Sequence, residues 1–352
     1  MTGAPSIAFL GCGQAARMHS KTLARIAPDS RRLYASRNAD RARSLAAEFS
    51  GVGVYGSYAE AIEDDRADAV LIATPPASHL ELALAAYAAG RHVIVEKPAF
   101  MGTAEFDRAW AAARAADRAL LVAENYFYKP ILERLRRILT SGELGRVLFV
   151  HVNALKRQPS SGWRNDARLA GGGALFEGGV HWISFVGNMG LELVDVRGYR
   201  PRPRRYADAG QAVATAGGSA TARAPERFTA ADALERSMMV ALAYAEGAVG
   251  SLSYSWETHS PLKGVRVSRV YGTDGTVAFE SNGVFLMQTG RRPRFALLPG
   301  GPRDAAGYAP MFRDFVRCLE TGAPARFTPE LARRDLERIE RAYATAASVD
   351  TN

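Results

Sequence analysis

The stretch Ser6-Ile7-Ala8-Phe9-Leu10-Gly11-Cys12-Gly13-Gln14-Ala15-Ala16 decides how the rest of the chain is read. An apolar run of strand length stops at Gly11, and a helix-like stretch begins near Ala15. The glycines follow the pattern G-x-G-x-x-A. Gly11 permits a tight turn, Gly13 lets the backbone approach a pyrophosphate, and a small residue at Ala16 lets the helix pack close to the strand. Phosphates would sit on the free N–H groups and positive end of that helix. An ordinary glycine turn between any strand and helix has the same appearance, so the residues around it have to decide.

A chain of 352 residues suits two domains rather than one core. With 47% hydrophobic and 23% charged residues it has the composition of a soluble globular protein. No apolar run approaches membrane-spanning length, and the first strand follows Pro5 directly without a leader pattern, so the expectation is cytoplasmic with no membrane partner. Cys12 and Cys318 provide neither a disulfide framework nor metal-ligand spacing, and no metal is expected. The net charge of +9 is spread over scattered arginines, with no basic block and no nucleic-acid motif, so a nucleic-acid partner is not expected. Only five of the 45 basic residues are lysines, namely Lys21, Lys97, Lys129, Lys156 and Lys263. An amine can be tuned for proton transfer where a guanidinium cannot, which singles these positions out.

After the glycine turn the pattern predicts a helix to about Arg25 and a second strand at Arg32 to Ser36. In a dinucleotide-binding fold the end of that strand meets the adenosine ribose. A carboxylate there selects the 2′-hydroxyl of NAD, and a basic or small polar residue accommodates the 2′-phosphate of NADP. Here Ala35-Ser36-Arg37-Asn38 follows about 25 residues after Gly11 and no acid appears before Asp40, so NADP is favoured with NAD possible. Further strands are expected near Val52 to Tyr55, at Ala69 to Ala73, at His92 to Val95 and at Ala119 to Ala123, with helices between them. This alternation implies a parallel, doubly wound sheet. Ligands of such sheets bind at the carboxyl ends of the strands, where Gly11, Ser36, Thr74 and Lys97 all fall. A lysine entering that crevice from a buried strand would feel desolvation and the positive nicotinamide ring, both of which favour its neutral amine.

Glu124-Asn125-Tyr126-Phe127-Tyr128 leaves this first half. The expected order is then a helix at Pro130 to Thr140, a long strand at Arg146 to Leu155, and an unusual glycine-rich region. That region holds Trp163-Arg164-Asn165-Asp166 and then Gly171-Gly172-Gly173 through Glu177 to His181. A regular helix from Ala174 would put Glu177 and His181 on one face, where the carboxylate could orient the imidazole. A strand at Leu193 to Tyr199, a long loop over residues 200–230, a hairpin about Ala245-Glu246-Gly247, three short strands and two closing helices complete the chain. The second half therefore reads as an α+β layer with an open, mainly antiparallel sheet. The division expected is 1–123 and 124–352.

The motifs taken in order resemble the Gfo/Idh/MocA oxidoreductase family, of the glucose–fructose oxidoreductase and inositol dehydrogenase type. They are Gly11-Cys12-Gly13-Gln14-Ala15-Ala16, Ala73-Thr74-Pro75 with His79, Glu96-Lys97-Pro98, Trp163-Arg164, and Gly171-Gly172-Gly173 through Glu177 to His181. The resemblance covers nearly all of the chain. It implies an N-terminal Rossmann domain, an α+β domain that binds substrate and builds homodimers or homotetramers through its open sheet, and a peptide before Pro98 that is cis. It implies Lys97 and His181 as acid/base groups, with Glu177 in a place where many members have aspartate. Cofactor contacts are expected from Gly11, Gly13, Gln14, Ala15, Ala16, Ser36, Arg37, Thr74, Pro75, His79, Glu96, Lys97 and Asn125. Substrate contacts are expected from Tyr126, Tyr128, Trp163, Arg164 and Asp166. The implied reaction is hydride transfer between nicotinamide and a carbinol or carbonyl carbon of a sugar, polyol or related cyclic compound. Two rivals come with the family: a non-catalytic NADP-sensing regulator, and a redox-assisted glycoside hydrolase that retains NAD.

Overall fold

A computed structural model describes residues 4–201, 234–260, 264–298 and 304–349. The strands are β1 (Ile7–Leu10), β2 (Arg32–Ala35), β3 (Gly53–Tyr55), β4 (Ala69–Ile72), β5 (His92–Val95), β6 (Leu120–Val122), β7 (Val147–Leu155), β8 (Leu193–Tyr199), β9 (Ser237–Tyr244), β10 (Val249–Ser255), β11 (Val267–Gly272), β12 (Gly275–Glu280), β13 (Phe285–Gly290) and β14 (Arg294–Leu297).

The first six strands form one parallel sheet in the order β3-β2-β1-β4-β5-β6. Every side chain of β1 and β4 is buried, as a sheet covered by helices on both faces requires, and this is why those strands read as unbroken apolar runs. Each fully buried Leu, Ile or Phe there contributes about 1.5–3 kcal/mol relative to exposure. The helices between them are Gln14–Ile26, which ends one residue past the expected Arg25, Ala39–Glu48, Tyr58–Glu63, His79–Ala88 and Thr103–Ala115.

The remaining strands form an eight-stranded sheet in the order β14-β13-β12-β11-β7-β10-β9-β8. All its pairings are antiparallel except β7 with β10. The hairpin expected about Ala245 to Gly247 is present as β9–β10. Sequence reading missed β14, whose Arg294–Leu297 residues are exposed or half-buried and carry little apolar alternation. The loop expected over 200–230 lies almost wholly outside the described residues.

The closing helices Tyr308–Thr321 and Pro329–Val349 tie the two sheets together. The first packs on the helix Gln14–Ile26, and the second packs on β8 and on the helix Thr103–Ala115. Arg333 donates to Asp107 at 2.7 Å, and Thr103 donates through both its backbone and its hydroxyl to Glu340. Among the described residues no helix is long and apolar enough to cross a membrane.

Candidate active site

The parallel register brings the carboxyl ends of β1, β4 and β5 side by side. Gly11 makes the first turn with φ of +99°, and a Cβ on it would lie 2.8 Å from Ala73 O at the end of β4. Only glycine combines that dihedral with that approach. Gly13 caps the helix Gln14–Ile26 and faces open space. No side chain caps this helix N-terminus, and its first turn has no acid. The free N–H groups and helix dipole thus remain for an anion, and the packing of Ala16, fully buried, holds the helix against the sheet. These residues fit a dinucleotide pyrophosphate. At the end of β2, Ser36 accepts from Asn38 N at 3.1 Å, and Asn38 caps the next helix. Arg37 is exposed and pairs with no acid among the described residues, while Asp40 is taken by Arg43 at 2.6 Å. Cys12 lies in the turn itself, and burial pushes its thiol up to about 11.

At the end of β5 the chain runs Glu96-Lys97-Pro98, and the Lys97–Pro98 peptide is cis, as expected. Glu96 accepts from Lys97 N at 3.0 Å and binds the fully buried His19 of the first helix. Burial alone would raise the Glu96 carboxyl, but His19, Lys97 and His181 outweigh it and hold it at about 2. The Lys97 ammonium donates to Glu177 O at 2.7 Å and lies 3.7 Å from Glu177 Oε1. Arg164 reaches the same Oε1 from its Nε at 2.9 Å. Glu177 is buried, which acts to raise its carboxyl; Lys97, Arg164 and His181 together bring it below the usual range.

His181 corrects the sequence reading. Its Nδ1 lies 2.7 Å and 2.9 Å from the two oxygens of Glu124, not against Glu177. The physical reason is local. Residues Leu175–Gly179 wind as a π-helix before the α-helix Val180–Gly187 begins, so the four-residue spacing of a regular helix does not stack Glu177 over His181. The Nδ1–H donates to Glu124, which leaves Nε2 with its lone pair free. Glu124 Oε1 also accepts from Tyr126 N at 2.8 Å. The Tyr126 ring stacks on His181 with centroids 4.4 Å apart, and the Lys129 ammonium lies 3.9 Å from the Tyr126 ring centroid. Lys129 is buried and donates to Ser281 O at 3.0 Å. Burial, with Arg266 nearby, brings its amine down to about 7.

Several expected site residues have other work. The ring of His79 is buried, with Nε2 at 2.8 Å from Thr74 O and Nδ1 at 3.0 Å from Ala99 O, so it joins two loops of the crevice and offers no nitrogen to a ligand. Asn125 is buried and donates to Ala306 O at 2.7 Å. Thr74 accepts from Ser78 through its hydroxyl at 2.8 Å, and Pro75 precedes the short turn Pro76–Ser78. Tyr128 points away from Tyr126: its hydroxyl binds Asp314 at 2.7 Å and accepts from Phe327 N, so it does not line the pocket. One 3-10 turn carries both tyrosines, and their spacing within it sends them in different directions. Asp166 caps the short helix Ala167–Ala170 and pairs with Arg168 at 3.3 Å, which occupies its carboxylate. Trp163 sits beside Arg164, whose guanidinium lies 4.6 Å from the indole centre.

Sequence reasoning missed Glu124 and His19 as members of the site. Glu124 follows β6 by two residues, the same strand-end position that singled out Lys97, and that signal could have found it. His19 lies inside a helix with nothing in its neighbours to mark it. Among the described residues no three His, Cys, Asp or Glu side chains gather as a metal site.

Residues 6–124 match a family model described as an oxidoreductase family with an NAD-binding Rossmann fold, and residues 132–278 match the GFO/IDH/MocA C-terminal domain. The chain is 26% identical over 258 residues to levoglucosan dehydrogenase of Pseudarthrobacter phenanthrenivorans, a match covering 71% of this chain and 64% of that protein. It is 31% identical over 207 residues to inositol 2-dehydrogenase of Streptomyces avermitilis, covering 58% and 59%. The chain thus spans less than two thirds of the length of these curated relatives. Among solved structures it is similar to GenD2 from gentamicin A biosynthesis in complex with NAD, with a TM-score of 0.78, 25% identity and 99% and 95% of the two chains covered. Levoglucosan dehydrogenase in complex with NADH and L-sorbose shares the fold with a TM-score of 0.81 at 19% identity, covering 99% and 98%.

Proposed function

Since the chain belongs to the Gfo/Idh/MocA oxidoreductase family, we propose that it moves a hydride between a nicotinamide cofactor, NADP in preference to NAD, and a carbinol carbon of a sugar or polyol. The observation that carries this reading is the convergence of Lys97 and His181. Lys97 and Glu124 line one small void, and Glu124 holds the imidazole. Lys97 at the end of β5 and His181 on the helix Val180–Gly187 both lie close enough to Glu96 and Glu177 to lower their carboxyls, so two groups that can handle a hydroxyl proton stand near one another.

When bound, the nicotinamide supplies the hydride acceptor or donor. Gly11, Gly13, Gln14, Ala15 and Ala16 would cradle the pyrophosphate at the helix N-terminus, and Ser36 with Arg37 would receive the 2′-phosphate. His181 takes the hydroxyl proton at Nε2, because Glu124 fixes the opposite tautomer at Nδ1. Lys97, anchored on Glu177 O, donates to the substrate oxygen as negative charge develops there. Arg164 and Glu177 hold one another and shape the wall on that side, with Trp163 as an apolar surface against the sugar ring, while both faces of the Tyr126 ring are taken by His181 and Lys129. Residues 124–352 thus supply the substrate side of the crevice. The eight-stranded sheet exposes Phe149, Val249 and Met287, which supports assembly of homodimers or homotetramers through that face.

The test is an absorbance assay with NADPH and NADH across sugars, keto-sugars, polyols and cyclic ketones. Turnover with one of them, faster with NADPH, is the expected result. Cofactor binding without turnover of any of them would overturn the proposal in favour of a sensor. Glycoside cleavage without net change in the cofactor would overturn it in favour of a redox-assisted hydrolase.

A further inference from the structure

Next to Glu124 is a small cavity of about 20 Å³, lined by Lys97, Glu124, Asp335 of the last helix, Val122, Val180, Phe327 and other apolar groups. That volume holds one water molecule, which needs polar partners to stay. Glu124 and Asp335 are such partners. Asp335 is 2% exposed. Its Oδ1 accepts from Arg338 at 3.0 Å, and it also bonds Ser184, while its Oδ2 is buried with no partner among the described residues. An orphaned carboxylate oxygen at that depth is costly unless a water or a proton satisfies it.

We propose that Asp335 is a positioning and proton-storing residue for this site, joined to Glu124 through one water in the void, so that His181, Glu124, the water and Asp335 form a buried relay. The inference rests on the hydride-transfer reading above. In the oxidative direction the substrate O–H bond breaks and its proton goes to His181 Nε2. The Nδ1 proton passes to Glu124, one proton of the water passes on as Glu124 gives its own back, and an O–H bond forms at Asp335 Oδ2. The electron pair of the broken C–H bond leaves with the hydride to the nicotinamide. After the product has gone the stored proton returns along the same path to Nδ1, and His181 releases its Nε2 proton to solvent at its exposed edge.

The surroundings suit storage. Burial drives the Asp335 carboxyl up to about 7, and the Glu124 charge adds to the rise, against Arg338 and the Ser184 hydrogen bond. The charged groups facing it are Arg338 on its own helix, Glu124 at the end of β6, and Lys97 at the end of β5, across the void. Arg338 is itself fixed by Leu193 O at 2.9 Å, so it stays in place when Asp335 changes charge. A group that changes protonation near neutrality and is wired to the imidazole can hold the proton at a depth where the side chain is 2% exposed.

Infrared titration and steady-state kinetics of the full chain test this, with Asp335→Asn, Asp335→Glu and Glu124→Gln. The wild type shows a neutral-carboxyl band that titrates near neutrality and is lost in Asp335→Asn. In Glu124→Gln its midpoint falls by about half a pH unit or more, because a neighbouring negative charge has gone. In Asp335→Asn, kcat for oxidation drops about tenfold and its limb near neutrality disappears, with KM and cofactor affinity held, and Asp335→Glu restores the limb. A band unmoved by Glu124→Gln, or a limb retained in active Asp335→Asn, overturns the relay. A band that responds to Glu124→Gln in a wild type that oxidises no substrate keeps the Asp335–Glu124 link and sinks the hydride-transfer reading instead.

Discussion

His181 hydrogen-bonds to Glu124, 57 residues before it, and not to Glu177, four residues before it. The two carboxylates near the imidazole therefore do different things. Glu124 sets its tautomer, and Glu177 gathers Lys97 and Arg164. Substitution separates them. Glu124→Gln keeps the shape but removes the acceptor charge behind Nδ1, and kcat is expected to fall by about 10²-fold with cofactor affinity held. Glu177→Gln leaves Lys97 on the backbone carbonyl and should chiefly raise KM through a loosened Arg164. Equal losses of kcat in the two variants, measured by steady-state kinetics, would remove the distinction.

Lys97→Met removes the ammonium that faces Glu177 at the end of β5 without touching the glycine turn. Turnover is expected to drop at least about 10²-fold. Quenching of NADPH fluorescence by the protein should titrate with near-wild-type affinity. Near-normal turnover in this variant would show that Lys97 is not an acid/base group.

Arg37 is exposed, lacks an acidic partner among the described residues, and follows Ser36 at the end of β2. Arg37→Ala should weaken NADPH binding about tenfold or more and leave NADH binding within about twofold, since a charge-assisted bond to a phosphate is worth about 1.5–3 kcal/mol. Binding titrations with both cofactors read this directly. A parallel loss for both would place Arg37 against the shared part of the dinucleotide.

Lys129 gives the fold a pH dependence of known sign. Its amine is brought down to about 7 in the native state, while an unfolded lysine titrates near 10.4. Between those values the unfolded chain binds a proton that the folded chain does not, so stability rises with pH across that window and is lowest, for this group, below 7. Relative to Lys129→Met, the wild-type Tm should rise by about 2 °C or more from pH 7 to pH 9. A Tm difference that stays flat over that range would mean that Lys129 keeps its charge in the fold.

Much of this was legible in the chain itself. The apolar runs of β1, β4 and β5, with a glycine turn after the first, are enough to specify a parallel sheet, because only strands buried on both faces tolerate such runs. The strand-end rule located Lys97 and the glycine cradle from order alone. It would have located Glu124 as well, had the segment after β6 been weighed like the one after β5.

The sequence by itself determined which residues reach the carboxyl edge of the sheet, because strand length and turn glycines are local properties. Tertiary structure alone decided who faces whom there. The π-turn at Leu175–Gly179 depends on Glu235, which accepts from Leu175 N, and on Tyr343, which accepts from Phe176 N, one just before β9 and one on the last helix. Neither is near it in sequence. That turn rotates Glu177 away from His181, and the same last helix brings Asp335 behind Glu124. The partner of a buried charge is chosen by packing across the fold, and no periodicity within a segment can record it.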